Sequence, residues 1–117
     1  MGKINSRSKG KRGELQFRDV LRGAGFMARR GQQYAGSAEG ESPDVVHNIP
    51  GVHIEVKWVE RLNLAAAMAQ AKQDCGGKVP VVAHKRNGEE WLVTVPASAI
   101  VGWWQEMFLS GDDYSDL

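Results

Sequence analysis

The sequence predicts an α/β domain, a mixed β-sheet of about five strands flanked by helices in the order α-β-β-β-α-β-β-α. Three observations predict it. Phe17, Val20, Leu21 and Ala24 recur at three- and four-residue spacing, which puts them on one face of a helix. VHIEVKW (52–58) and VPVVAHK (79–85) read as strands. Between them lies NLAAAMAQAKQDC (63–75), an alanine-rich helix ended by Gly76-Gly77.

In chain order, residues 1–10 lack apolar periodicity and are expected to form a flexible basic arm. The first helix is expected from Lys11 to Ala24, with Gly25 as its stop. FMARR (26–30) reads as a short strand, and the polar GQQYAGSAEGES (31–42) as a mobile loop. DVVHN (44–48) and VHIEVKW read as strands joined by a turn at Pro50-Gly51. Asn87-Gly88 signals a hairpin between VPVVAHK and EEWLVTV (89–95). PASAIVGWWQEMFL (96–109) reads as a helix with Pro96 near its start. The domain proper is therefore expected over 11–109, with an acidic tail over 110–117.

The chain of 117 residues suffices for one modest core. Its apolar fraction of 42% and charged fraction of 25% are those of a soluble globular protein. The single cysteine, Cys75, cannot form an internal disulfide and reads as a small core residue, so a reducing cytoplasm is expected. No apolar run is long enough for a membrane span. The match of MGKINS to a myristoylation pattern is short and common, and is read as chance. The glycines form neither a P-loop nor a dinucleotide fingerprint, so no nucleotide cofactor is expected.

The net charge of +1 conceals an asymmetry. Residues 1–35 hold nine Lys/Arg, including Lys9, Lys11, Arg12, Arg29 and Arg30, against Glu14 and Asp19. The last thirteen residues hold four acids and no base. A basic arm points to a polyanion such as nucleic acid, although a merely solubilising tail has the same composition.

The chemistry-bearing stretch is SPDVVHNIPGVHIEVKW (42–58). Alternation along a strand puts Val52, Ile54, Val56 and Trp58 on one face, and His53, Glu55, Lys57 and Val59 on the other. If 42–58 is a hairpin, a turn over 48–51 sets Asp44 opposite Glu55, and a turn over 49–52 sets it opposite Lys57. Either register brings Asp44 to the Glu55/Lys57 face. Two carboxylates at about 5 Å repel and want a proton or a hard cation between them, Mg²⁺ above all. A solvated polar face in which Lys57 neutralises one acid is the simpler alternative, but it sits poorly inside apolar strands. Glu14 flanks the apolar face of the first helix and points toward the same rim. Capping or surface charge near the helix start accounts for it equally well.

Glu14, then PD, then EVK on adjoining strands, resembles the PD-(D/E)XK nuclease superfamily. KGKRGELQFRDVLRGAGF, ARRGQQYAGS, SPDVV, IEVK and KVPVVAHKRNGEEWLVTV are similar to archaeal-type Holliday junction resolvases and related phage endonucleases. The resemblance implies a restriction-endonuclease-like core in which Asp44, Glu55, the Val56 carbonyl and Glu14 serve the metal. It implies that Lys57 orients the attacking water or stabilises charge on the phosphate, and that Ser37 nears the scissile phosphate. Arg29 and Arg30 would contact phosphates, and Gln70 or Gln73 would be a polar auxiliary on the following helix. The acidic AEGES segment departs from what a DNA channel calls for.

His47, His53 and His84 lack metal-ligand spacing and read as packing or surface residues. Trp103 and Trp104 are adjacent on a helix, so both cannot bury against one face. Core packing of one of them is the simplest account, a homodimer contact is a second, and stacking on DNA bases a less favoured third. The expectation is an Mg²⁺-dependent endodeoxyribonuclease (Mn²⁺ substituting) that acts as a homodimer on four-way or other branched DNA. Its setting would be the cytoplasm, the host's if phage-encoded. The rivals are a phage nuclease trimming ends or flaps and a non-catalytic DNA-binding module.

Overall fold

The structure is a computed structural model that describes residues 6–31 and 44–109, with backbone alone for 6–8. Three helices and five strands follow the expected order: α1 (Ser6–Gly23), β1 (Ala28–Arg30), β2 (Val45–His47), β3 (Val52–Trp58), α2 (Leu64–Asp74), β4 (Val79–Lys85), β5 (Leu92–Thr94) and α3 (Ala97–Phe108). No helix among the described residues is long and apolar enough to cross a membrane.

α1 begins at Ser6 rather than Lys11, so part of the stretch expected as an arm is helical. Lys and Arg are good helix formers and extend a helix that packing has nucleated further along. Phe17 and Leu21 anchor it in the core. Gly25, at φ 99°, ends it in the left-handed conformation expected of a glycine stop. Gly13 lets α1 approach β3 closely, because a Cβ there would lie 3.2 Å from Trp58 Cβ.

The strands form two hydrogen-bonded sheets. β1 pairs antiparallel with β2 (Arg29 opposite Val46), and a second sheet runs β3-β4-β5. β3 and β4 are parallel, with Glu55 beside Val82 and Trp58 beside Lys85. A strand–helix–strand unit requires this arrangement, because α2 returns the chain to the same end of the sheet. β4 and β5 are antiparallel, as the Asn87-Gly88 turn predicts.

β2 and β3 are not a ladder-paired hairpin, so neither predicted register of Asp44 applies. The Pro50-Gly51 turn reverses the chain, but β2 finds its partner in β1. Asn48 N–H donates to Met27 O, Met27 N–H to Asn48 Oδ1, and Gly31 N–H to Asp44 O, which extend that pairing.

The face expected to be apolar is the main core. Ile54 and Val56 pack with Val81, Ala83, Val45, Ala28 and the α1 residues Phe17 and Leu21. Trp91 closes this side edge-on to Phe17, with ring centroids 5.1 Å apart. On the opposite face α2 lays Ala67 and Ala71 against Val82, forming a smaller cluster. Asn63 caps α2, its Oδ1 accepting Ala66 N–H at 3.0 Å.

Candidate active site

β3 is buried on both faces at its centre, from His53 through Val56, and this puts Glu55 in the interior. A buried carboxylate has lost its water and needs compensation. Its neighbours supply this in part. His53 Nε2 lies 2.9 Å from Glu55 Oε1, a hydrogen bond in the tautomer that carries Nε2–H. Burial lowers the His53 pKa, which favours that neutral ring.

Asp44 enters from the end of β2. Its carbonyl accepts Gly31 N–H at 2.9 Å, and its Oδ2 accepts Val56 N–H at 2.8 Å. The side chain therefore reaches across from one sheet to the edge of the other. This brings Asp44 to Glu55 without a hairpin, and the two carboxyls interact directly. Burial first, then the Asp44 charge and a hydrogen bond to Asp44, push the Glu55 pKa up to about 8, against the opposing pull of Lys57. Glu55 therefore keeps a proton near neutrality.

Glu14 lies on the buried side of α1, where Arg30 Nε donates to its Oε1 at 2.6 Å. Burial raises its pKa, the Arg30 hydrogen bond opposes the rise, and the Asp44 charge adds to it. Glu14, Asp44 and Glu55 are each under 9% exposed, and all belong to one electrostatic neighbourhood. Lys57 acts on Glu14 and on Glu55 alike.

Two oxygen donors held together by one proton suit a hard divalent cation, which replaces that proton and satisfies both charges. Asp44 and Glu55 fit such an ion by this criterion. Among the described residues no group of three or more His, Cys, Asp or Glu side chains converges as a ligand set. Glu14 is held by Arg30 instead.

The other expected site residues fall as follows. Ser37 lies outside the described residues. Arg30 is engaged with Glu14, whereas Arg29, next along β1, is exposed. Lys11 and Arg12 are exposed and Lys9 is half-buried. Gln70 and Gln73 are both exposed, and Gln70 Nε2 donates to Asp74 Oδ2 at 3.2 Å. Asp74 is the α2 residue whose charge reaches Glu55 and His53. It continues the Ala67, Ala71 row by a further three residues, a helical spacing that identifies it in hindsight. His53 shares the Glu55 strand face, and Arg30 has no local signal for its role. His84 Nε2 lies 2.9 Å from Thr94 Oγ1, and Ile49 N–H donates to His47 Nδ1, both packing contacts.

No protein-family model matches the chain, and no curated protein does. Among solved structures it is similar to the Holliday junction resolvase of Archaeoglobus fulgidus, from an archaeal hyperthermophile. The identity is 25%, the TM-score 0.50, and the match covers 72% of this chain and 73% of that one. The resemblance to archaeal-type resolvases read from the sequence thus holds for the fold.

Proposed function

We propose that this chain, built on the fold of an archaeal Holliday junction resolvase, is a divalent-metal-dependent endonuclease that hydrolyses backbone phosphodiesters in branched DNA. The observation that carries the reading is the buried Asp44–Glu55 pair, drawn together across two sheets with Lys57 beside it.

Asp44 and Glu55, with the Val56 carbonyl, would hold Mg²⁺ or Mn²⁺. The chemistry such an ion supplies when bound is Lewis acidity toward phosphate oxygen and water. Lys57 supplies a positive charge that is partly neutralised by the acids and is aimed at the charge developing on the phosphate. His53 fixes the Glu55 carboxyl by its hydrogen bond, and Arg30 fixes Glu14. Glu14 assists at the ion's side of the site. Ser37 is assigned a place near the scissile phosphate on the resemblance alone.

Lys9, Lys11, Arg12 and Arg29 contact phosphates in this reading, so sequence preference is weak. Gln70 and Gln73 serve DNA contacts at the rim of α2. We assign a homodimer, because two strands of a junction must be cut symmetrically. No α3 residue is buried, and Val101, Trp104, Met107 and Phe108 present an apolar face that a second copy would cover.

The test is cleavage of a synthetic four-way junction beside matched flap and linear duplex, with and without Mg²⁺. Mg²⁺-dependent paired nicks in the junction are expected. Cleavage confined to ends or flaps makes the protein a trimming nuclease, and tight binding without cleavage makes it a binding module.

A further inference from the structure

Three cations converge on one indole at the carboxyl ends of β3 and β4. Lys85 Nζ lies 4.8 Å from the Trp58 ring centroid, Arg12 Cζ 5.3 Å and Lys9 Nζ 5.8 Å. They come from separate elements: Lys9 and Arg12 from α1, Trp58 from β3, and Lys85 from its register partner on β4. The ring is fixed by its Nε1–H, which donates to Asn87 Oδ1 at 2.8 Å. Lys85 is fixed too, donating to Gln16 Oε1, which also accepts Trp91 Nε1–H.

Attraction to the ring face draws each cation in, but like charges gathered there repel one another. The acid at the cluster is Glu60, 3.6 Å from Lys9 and also accepting Asn87 N–H at 2.8 Å. The Lys9 side chain is only 16% exposed, so its charge has also lost much of its water. A preformed, under-neutralised and partly desolvated cation set favours an anion. Its position agrees, since ligands of parallel strands bind beyond their carboxyl ends.

We propose that Lys9, Arg12 and Lys85, arrayed on Trp58, form a phosphate clamp for the nucleic-acid strand, separate from the catalytic carboxylates. The inference rests on the endonuclease reading and deepens it. Trp58 is three residues from Glu55 along β3, about 10 Å along the strand, toward its carboxyl end. Trp58 and Glu55 lie on opposite faces of β3. A substrate strand held at both places therefore passes around the end of the strand.

The experiment titrates a fluorescein-labelled four-way junction with wild type, Lys85→Ala and Lys85→Arg by anisotropy, without divalent ions, across a KCl series. Lys85→Ala is expected to weaken binding roughly five- to tenfold near 0.1 M salt and to flatten the log–log salt slope by about 1. Lys85→Arg keeps the charge and is expected to restore the slope. An unchanged slope in Lys85→Ala, even with a lowered melting temperature, makes the cluster a structural staple and overturns the clamp while the endonuclease reading stands. Wild type that binds no DNA at low salt overturns both.

Discussion

Asp44 Oδ2 accepts the backbone N–H of Val56 at 2.8 Å, so a side chain occupies the place of a strand partner on β3. The same residue raises the pKa of Glu55 by its charge and its hydrogen bond. Structure and chemistry meet in one carboxylate, and substitutions can separate them.

Asp44→Asn keeps an oxygen acceptor for Val56 N–H and removes the charge. Cleavage is expected to fall at least about 100-fold, while stability changes by less than about 1 kcal/mol. Asp44→Ala leaves that buried amide without its acceptor and is expected to cost a further ~1–3 kcal/mol. Junction cleavage and urea melts of the two variants check this, and full activity in Asp44→Asn would exclude Asp44 from the metal site.

Glu55 gives a pH dependence whose sign is fixed. Its folded pKa, about 8, lies above the ordinary carboxylate value of 4.5, so over that window the folded chain binds more protons than the unfolded one. Without divalent ions, this group's contribution to stability is full below about pH 4.5 and is lost as pH rises through about 8. Glu55→Gln is expected to be more stable than wild type at pH 8.5, on the order of 1 kcal/mol or more, and closer to it at pH 5. Denaturant melts at the two pH values decide the matter.

The same proton must leave when a cation binds. Mg²⁺ or Mn²⁺ binding near pH 7 is expected to release close to one proton and to tighten as pH rises toward 8. Calorimetry in buffers of different ionisation enthalpy measures the release. No proton release would place the ion away from Glu55.

Arg30 holds Glu14 at 2.6 Å on the buried side of α1. Arg30→Ala is expected to destabilise the fold by about 1–3 kcal/mol, because a largely buried carboxylate loses its donor. Arg30→Lys is expected to recover part of it. If Arg30 contacts only phosphate, thermal stability will be unchanged and DNA affinity alone will fall.

Gly10 and Gly13, both inside α1, are expected to respond oppositely. Gly10 has open space around its missing Cβ, so Gly10→Ala gains helix propensity, about 1 kcal/mol. Gly13 faces Trp58 Cβ at 3.2 Å, so Gly13→Val overpacks that contact and costs roughly 1–3 kcal/mol. Thermal melts of both check the packing of α1 on β3.

β3 and β4 coincide with the residue runs that announced them, because each is bounded by turn or helix signals and is apolar at its centre. Asp44, Glu55 and Lys57 were legible for the same reason, as charges where burial was expected. The partner of β2 was not. Pro50-Gly51 states that the chain turns but not which strand waits on the far side, and β1 lies some fifteen residues upstream. Asp74 and Arg30 owe their places to packing between elements distant in sequence, of which a single chain carries no local mark. His53 shared the expected face of Glu55, yet its contact depends on a rotamer that only the packed interior selects.

The bond from Asp44 to Val56 also ties the assembly of the site to the order of folding. It closes only when the β1–β2 pair has settled against the edge of β3, a contact that neither sheet makes alone. A chain with the two sheets apart carries every residue of the site and none of its arrangement. The Val56 amide is thus a built-in witness, and its exchange with solvent is expected to be slow only in molecules in which the acids have met.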